Sequence, residues 1–374
     1  MDDPQHWLAL AHAPGLHAGQ LREWLAHGRS PCELPQQSAA TLGALGLGRG
    51  TIAALTRPDH AAIEVDLAWL AGNTQRTLLC WGMADFPPLL AQIPDPPLVL
   101  YVEGDVDALS LPQLAIVGSR NPTPPGRDTA QQFARHLAQA GFAITSGLAL
   151  GIDAAAHRGA LAAGGRTVAV VGRGLDAVYP PENGTLAGEI VARAGACVTD
   201  LPIGTPPLRQ NFPRRNRILS GLATGTLVVE ASLQSGSLIT ARLAAEQGRE
   251  VFAIPGSIHN PMVRGCHRLL REGARLVESV DDIFAEIGVI FGDIKRNARE
   301  KDPNPPLLPP LPLDNEYEIL LDALGFEAAG VDTLVARTGL KAGAIASMLL
   351  ILELEGRVQQ HPGGRFCRRS PGKV

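Results

Sequence analysis

From Thr77 to about Asp293, apolar runs of strand length alternate with amphipathic stretches of helical period. Six runs predict strands, and each is near-continuously apolar instead of alternating apolar and polar residues. Such strands are buried on both faces, as in the largely parallel sheet of a doubly wound, Rossmann-like α/β domain. The predicted strands are Leu98–Val102, Leu114–Val117, Ala143–Ser146, Thr167–Val171, Leu227–Glu230 and Val251–Ile254.

The stretches between these runs predict helices. In Arg127–Ala140, for example, Phe133 and Leu137 are four residues apart and share one helix face. Ligands of open α/β sheets bind beyond the carboxyl ends of the strands. The residues that follow each predicted strand are therefore the first candidates for a binding site.

The pattern before residue 72 is different, with short helices separated by glycine and proline. It predicts a small helical domain, of helix-hairpin-helix or SAM-like type, at residues 1–72. The segment from Gly46 to Ala53 has the G-h-G-x-x-x-A form of a helix-hairpin-helix turn, whose amides can hold a phosphate. We favour a packing role for it over DNA contact. The predicted helices are Trp7–His12, Leu21–His27 and a segment around Thr51–Leu55.

Residues 294–315 predict a semi-rigid linker, because six prolines fall between Pro303 and Pro312. Residues 316–374 predict three helices and then a β-hairpin that turns at Pro362-Gly-Gly364, which is the layout of a winged helix. The helices are Glu316–Leu324, Val331–Thr338 and Ala342–Leu354. The Rossmann-like domain is accordingly assigned to residues 77–293.

Composition narrows the class of protein. The chain has 374 residues, of which 45% are hydrophobic and 19% charged, as in globular multidomain proteins. Its five cysteines are widely spaced and form no C-x-x-C pair, which indicates neither a zinc site nor a disulfide framework. The N-terminus lacks a signal-peptide core, and no uncharged apolar run approaches the ~18 residues of a membrane span. We therefore expect a soluble, cytoplasmic protein.

The formal net charge is −4, yet positive charge is concentrated locally. Four arginines lie between Asp200 and Glu230 with no acidic residue among them. Guanidinium groups beside an aromatic ring and an asparagine suit a phosphate backbone with a base to stack on. The alternative is that these arginines solvate a surface or cap helix carbonyls. The residues are Arg209, Arg214, Arg215 and Arg217, together with Phe212 and Asn216.

Glycine and serine follow three of the predicted strands. Ile116-Val-Gly-Ser-Arg120 places Arg120 directly after one strand, and Thr145-Ser-Gly-Leu-Ala-Leu-Gly-Ile-Asp153 leaves the next, with Asp153 as a plausible helix N-cap. Gln234-Ser-Gly-Ser-Leu-Ile-Thr240 begins a helix in the same way. Helix N-termini attract anions. Together with the arginines they predict an anion-binding rim formed by Gly118, Ser119, Arg120, Ser146, Gly147, Phe212, Arg214, Arg215, Asn216, Arg217, Ser235, Gly236 and Ser237.

Motifs of other nucleotide-binding and catalytic classes are absent from the sequence. There is no G-x-x-x-x-G-K-[ST] loop and no G-x-S-x-G turn, and Gly172-Arg-Gly174 lacks the third glycine of a dinucleotide fingerprint. Asp153 and His157 are spaced like a base and its orienter, but a capping aspartate and a packing or surface histidine are favoured. We expect no catalytic residue, no metal and no cofactor.

Taken together, these motifs resemble the DNA processing protein A family over roughly residues 98–280, and the linker and winged helix extend the match. The resemblance implies an extended Rossmann-like domain that binds single-stranded DNA, forms a homodimer and loads RecA recombinase during natural transformation. Single-strand binding protein is a further candidate partner. The matching segments are Ile116–Arg120, Ser146–His157, Tyr179–Asn183, Phe212–Arg217, Val228–Thr240 and Ala253–Gly256.

Two positions depart from the family pattern. Leu150 stands where the family commonly has arginine, so one positive group is missing from the rim or supplied elsewhere. Thr199-Asp-Leu-Pro202 differs from the usual Ser-Glu-Tyr/Phe-Pro.

Two other functions compete with this interpretation. A Rossmann-like nucleotide hydrolase of the lysine-decarboxylase-like type also carries Gly-Ser-Arg after its first strand, but no Pro-Gly-Gly precedes Gly225-Thr-Leu-Val-Val-Glu230 here. A regulator would read duplex DNA with its winged helix. The corresponding helix Ala342–Leu354 is mostly apolar and ends beside Glu353 and Glu355, so a protein-contact or auxiliary role is favoured.

Overall fold

The computed structural model describes residues 4–287, 315–324, 328–354 and 356–368. The chain divides into two compact units, residues 1–298 and 299–374, which are described separately. The predicted linker, 294–315, lies outside the described residues except for Asn315, where a helix begins. The predicted boundary between a helical and a Rossmann-like domain near residue 72 stays a prediction.

Nine strands of the first unit form one sheet. They are β1 (Arg76–Cys80), β2 (Val99–Gly104), β3 (Gln113–Val117), β4 (Ala143–Ser146), β5 (Thr167–Val170), β6 (Ala196–Thr199), β7 (Gly225–Val228), β8 (Glu250–Ala253) and β9 (Arg275–Leu276). Their order is β1-β2-β6-β5-β4-β3-β7-β8-β9. The pairs β1–β2 and β2–β6 are antiparallel, and all other pairs are parallel. The predicted largely parallel, doubly wound class is confirmed.

Of the helices of this unit, five precede β1 and the others lie between strands or follow β9. The helices are α1 (Pro4–Ala11), α2 (Ala18–Ala26), α3 (Ala39–Ala44), α4 (Arg49–Thr56), α5 (His60–Ala71), α6 (Pro88–Ala91), α7 (Pro124–Gln139), α8 (Ile152–Ala162), α9 (Gly184–Ala192), α10 (Asn211–Leu222), α11 (Ser237–Glu246), α12 (Arg264–Arg271) and α13 (Val280–Ile287). In α7, Thr123 caps the first turn and Phe133 and Leu137 lie on the buried face, as their spacing predicts.

Both faces of the sheet are covered, because alternate side chains of a strand point to opposite sides. Val168 and Val170 of β5 pack in one cluster with Ile218 and Leu219 of α10. On the other face Ala169 and Val171 pack with Ala154 of α8 and Leu186 of α9. Burial on both sides explains why these strands are apolar along their whole length.

The helices α1 to α5 pack onto one edge of the sheet. Their core of tryptophan and leucine side chains includes Val99 and Tyr101 of β2. A polar contact lies within it, where the fully buried Asp66 accepts hydrogen bonds from the Tyr101 hydroxyl at 2.6 Å and from the amide of Ile203 at 2.9 Å. His12 Nε2 lies 2.8 Å from the same carboxylate. Burial, with the Asp66 charge as the next cause, raises the pKa of Tyr101 and keeps its hydroxyl protonated as a donor.

The second unit contains α14 (Asn315–Leu324), α15 (Val331–Thr338) and α16 (Ala342–Leu354). A three-stranded sheet in the order β10-β12-β11 is formed by β10 (Ala329–Gly330), between α14 and α15, and by β11 (Val358–His361) and β12 (Arg365–Arg368), after α16. The predicted winged helix is confirmed, with its hairpin at Pro362–Gly364. Among the described residues no single helix is long and apolar enough to cross a membrane; α15 and Ala342–Glu353 meet the length and composition criteria only as a pair bent by 111°.

Candidate nucleic-acid interface

A groove of about 860 Å³ lies at the carboxyl ends of the parallel strands. Strand β3 stands at the switch point of the sheet, because β4 pairs on one side of it and β7 on the other. The groove is lined by the segments that leave β3, β4 and β7 and by the first turns of α10 and α11. This is where ligands bind in open α/β sheets.

A cation and two aromatic rings meet at the wall of this groove. Arg120 is exposed, and its guanidinium carbon lies 5.6 Å from the ring centroid of Phe212. The ring of Tyr179 is tilted against Phe212 with the centroids 5.8 Å apart, and Tyr179 is 40% exposed. Gly172 makes room for Phe212, since a Cβ there would approach the ring to 3.0 Å. The arrangement offers a positive charge and aromatic faces side by side.

The structure corrects the prediction that Arg215 is a surface cation. Arg215 is only 5% exposed. Its guanidinium donates to the carbonyl of Gly147 at 2.8 Å, to the carbonyl of Val170 and to Oδ1 of Asn216 at 3.0 Å. Gly147 has to be glycine because a Cβ there would collide with the Arg215 guanidinium. Arg215 therefore braces α10 against β4 and β5 from beneath the groove, and Asn216 holds it there.

Asp153 is the charge partner of Arg215. It is not the N-cap of α8, which is Gly151; its carboxylate accepts from the amides of Gly147 at 3.1 Å and Ala149 at 3.4 Å. Burial raises the pKa of Asp153, against the opposing pull of Arg215. Burial likewise lowers the pKa of Arg215 to about 10. Each group is retained in the interior by the other.

Arg214 and Arg217 also differ from the prediction, because they line a separate cavity near the N-terminal helices. Arg217 donates to Asp95 at 3.0 Å and to Asp200 at 2.9 Å, and Arg214 lies 3.2 Å from Asp200. Asp200 belongs to the segment that departs from the usual family motif, and it still supplies a carboxylate. The carboxylates of Asp95 and Asp200 balance the two positive charges of Arg214 and Arg217.

The predicted serines and glycines divide into two groups. Ser235, Gly236 and Ser237 line the groove, with the two hydroxyls 2.7 Å apart. Ser146 does not, because it is fully buried and its hydroxyl donates to the carbonyl of Ile116 at 2.6 Å. The hydroxyl of Ser119 accepts from the amide of Asn121 at 3.1 Å and shapes the turn after β3.

Close backbone approach at Gly118 is required by the protein itself. A Cβ there would collide with Ile152 and with the carbonyl of Glu230. The amide of Ser119 donates to that carbonyl at 2.7 Å. Gly118 is therefore a packing glycine at the edge of the groove.

The helix N-termini contribute less than the sequence predicts. At the start of α8, the amide of Ile152 donates to Ser119 and that of Ala154 to Ala149. At the start of α11, the amides of Leu238 and Ile239 donate to Ser235 and Gly236. Because these donors are engaged within the chain, they are not free to bind a phosphate, and the exposed guanidinium groups are the main candidates for phosphate contact.

Near the groove, the carboxylate of Glu230 and the imidazole of His157 both form hydrogen bonds within the protein. Glu230 accepts from the amide of Thr123 at 2.8 Å and from its hydroxyl at 2.6 Å. His157 is fully buried on α8 and lies 2.7 Å from the hydroxyl of Thr167, which itself donates to Ile144. Its Nδ1 is therefore the protonated nitrogen, and burial lowers the pKa of His157 to about 3. In the parts of the chain that the structure describes, no three His, Cys, Asp or Glu residues are placed to hold a metal ion.

Several lining residues were not among the predicted site residues. Tyr179 and Arg209 line the groove, and Arg209 is exposed. Arg127 and Arg158 lie beside Arg120 at an adjoining cavity. Arg209 stands in the same arginine-rich segment and Tyr179 begins a quoted motif, so both had a signal in the sequence. Arg127 and Arg158 are single arginines on helices, and only the fold brings them together.

Comparison with known proteins agrees with this architecture. The family model of DNA recombination-mediator protein A matches residues 77–288, and that of the DprA winged helix domain matches residues 303–364. Protein Smf of Escherichia coli K12 is 38% identical over 373 residues, which are 97% of this chain and 96% of that protein. DNA processing protein DprA of Streptococcus pneumoniae is 44% identical over 201 residues, 54% of this chain and 71% of its relative.

Two solved structures are similar as well. DNA processing protein A of Streptococcus pneumoniae matches with a TM-score of 0.66 and 33% identity, over 76% of this chain and 99% of that one. DNA processing protein A of Helicobacter pylori, whose structure concerns its unique single-stranded DNA binding mode, matches with a TM-score of 0.52 and 31% identity, over 59% and 97%. As the motifs from Ile116 to Gly256 predict, the chain belongs to the DNA recombination-mediator protein A family.

Proposed function

We propose that this protein binds single-stranded DNA in the groove beyond β3, β4 and β7 and loads RecA recombinase onto it during natural transformation. The observation that carries the proposal is the wall formed by Arg120, Phe212 and Tyr179. Sequence-tolerant binding of single strands combines guanidinium groups on the phosphates with aromatic faces for the bases. An intact duplex keeps its bases stacked and leaves the aromatic pair without a partner.

In this proposal the DNA contacts come from the exposed residues of the groove. Arg120 and Arg209 hold phosphates, because neither has a carboxylate partner within the described residues. Ser235 and Gly236 provide small polar contacts at the start of α11. Arg215, Asn216 and Gly147 act from below by fixing the floor.

The wider assembly is proposed from family membership. It comprises a homodimer through the Rossmann-like domain, RecA as the protein that receives the strand, and single-strand binding protein as the protein displaced from it. The Helicobacter pylori relative gives independent support for the single-stranded ligand. We place the protein in the cytoplasm and assign it no catalytic step. The carboxylate of Glu230, which a hydrolase would need free, is held by Thr123.

The first experiment compares single-stranded with duplex DNA of the same length over a range of salt. Oligo-dT is expected to bind at least about tenfold more tightly than duplex. In a plot of log binding constant against log salt concentration, each phosphate that a side chain neutralises is expected to contribute about −0.7 to the slope. Equal affinity for both forms would refute the single-strand proposal and favour duplex reading by the winged helix.

Matched substitutions then test the groove. Arg120→Ala is expected to weaken oligo-dT binding about tenfold or more, since a charged hydrogen bond to phosphate contributes about 1.5–3 kcal/mol. Arg135→Ala is the control, because Arg135 is an exposed arginine on α7 away from the groove. RecA assembly on strands coated with single-strand binding protein should fail with Arg120→Ala and proceed with Arg135→Ala. Normal RecA assembly with Arg120→Ala would remove the groove from the loading step.

A further inference from the structure

A second cavity, of about 460 Å³, adjoins the groove. The two share Arg120 and Asn121 in their walls, so one opens toward the other. Beyond this shared wall the second cavity is formed by Arg127 of α7, Arg158 of α8 and the side chain of Leu150. Neither Arg127 nor Arg158 has a part in the groove itself.

Contacts within the described residues do not account for the positive charge of this second cavity. It is lined by three arginines and one glutamate, Glu182, which gives three positive charges less one negative charge, a net +2. Arg127 and Arg158 are both exposed. Within the described part of the chain, the guanidinium group of neither residue forms an ion pair or a hydrogen bond. Like charges on two packed helices repel each other unless an anion lies between them. The placement therefore suits a negatively charged ligand.

The positive charge is carried by side chains and not by the start of α8. The amides of Ile152 and Ala154 are already bonded within the chain. Long, exposed guanidinium groups can follow a flexible ligand, whereas fixed amides would demand one geometry. Leu150, 40% exposed, adds an apolar surface between the arginines for a sugar or the edge of a base.

We propose that this second cavity is a phosphate subsite that continues the groove, and that Arg127 and Arg158 hold the backbone of nucleotides beyond those bound in the groove. Arg120, in the shared wall, lies where the strand passes from one to the other. The proposal rests on the proposed function and extends the bound strand across the faces of α7 and α8. It assigns a DNA contact to two residues that the family motifs do not mark.

The test is the length dependence of binding by Arg127→Ala, Arg158→Ala and the control Arg135→Ala, with oligo-dT of about 4 to about 20 nucleotides. A strand of about 4 nucleotides fills only the groove, so all three variants should bind it like the wild type. With about 20 nucleotides, Arg127→Ala and Arg158→Ala should each bind several-fold more weakly. Each should also lose about 0.7 from the salt slope.

Three outcomes would overturn the proposal. One is that both variants match Arg135→Ala at every length while Arg120→Ala still weakens binding, which leaves the proposed function intact. Another is a dependence on a 5′-phosphate, measured with phosphorylated and unphosphorylated oligonucleotides, which would identify a site for a strand end. The third is that Arg158→Lys, which keeps the charge, binds long strands no better than Arg158→Ala. If the wild-type protein itself bound single-stranded and duplex DNA equally well, the proposed function would be refuted.

Discussion

Two sets of arginines differ in a way that the sequence conceals. The arginines of α10 are neighbours in the chain. Two of them are largely enclosed: Arg215 donates to backbone carbonyls, and Arg217 donates to carboxylates. Those around the groove and its neighbouring cavity come from separate segments and are exposed without carboxylate partners among the described residues. The exposed set is Arg120, Arg127, Arg158 and Arg209.

The difference arises because neutralising groups come from far away in the chain. Asp95, the partner of Arg217, is 122 residues distant, and Asp153 approaches Arg215 from another helix. A cluster of charge in sequence is therefore a poor guide to the surface field, which depends on exposure and on the carboxylates within a few ångströms. The enclosed set should control stability and the exposed set should control binding.

Arg215→Ala should have the largest effect, and on stability. Removing the guanidinium leaves the buried carboxylate of Asp153 without its opposite charge and three acceptors without a donor. Breaking a buried pair in this way costs about 3–5 kcal/mol of unfolding free energy. Denaturant unfolding of the purified variant measures it.

Arg120→Ala is the control for this substitution, because an exposed arginine should change the unfolding free energy by less than about 0.5 kcal/mol. If Arg215→Ala retained full stability and lost only DNA binding, Arg215 would belong with the exposed set. The surface role that the sequence predicts for it would then be restored.

His157, which is buried near Arg215, should make the unfolding free energy depend on pH. Its folded pKa of about 3 is below the ordinary value of 6.5, with burial as the first cause and the charge of Arg215 as the second. The unfolded chain therefore takes up the proton first. Stability from His157 is present above pH 6.5 and is lost as pH falls toward 3. Between pH 7 and 5 the loss should be about 2 kcal/mol.

The control is His157→Gln, which stays neutral throughout this range. Its unfolding free energy should fall by about 2 kcal/mol less than that of the wild type between pH 7 and 5. The other histidines and the carboxylates titrate equally in both proteins and cancel in the difference. Parallel pH profiles would mean that water reaches His157 and that the layer beneath the groove is not dry.

The sheet could largely be predicted from sequence, because burial on both faces leaves apolar strands. The six predicted strands match β2, β3, β4, β5, β7 and β8 to within two residues at every end. Three strands had no such signal. Strand β6 has only four residues, and two of them are cysteine and threonine, so it is not a continuous apolar run. Strand β1 is half-buried over its first three residues, and β9 is only two residues long.

The site was only partly predictable. The sequence identifies Arg120 and Phe212 as neighbours of a ligand, and the structure brings them to one wall. It assigns Ser146 and Arg215 to the same surface because a strand end and an arginine run indicate no burial. Side-chain direction at the last residue of β4, and the space that Gly147 leaves for a guanidinium, are consequences of packing.

The smallest effect is expected for Arg214→Ala, which tests the comparison within a single segment. Arg214 is half-exposed and shares Asp200 with Arg217, so its loss should cost less than about 1 kcal/mol of stability. It lines the cavity away from the groove, so oligo-dT affinity should stay within about twofold of the wild type. Arg209→Ala, five residues earlier, makes the same charge change and should weaken binding several-fold, because Arg209 lines the groove. Fluorescence anisotropy of both variants on one oligonucleotide decides between them, and a larger loss with Arg214→Ala would show that the strand follows the arginine run of α10 and not the exposed set.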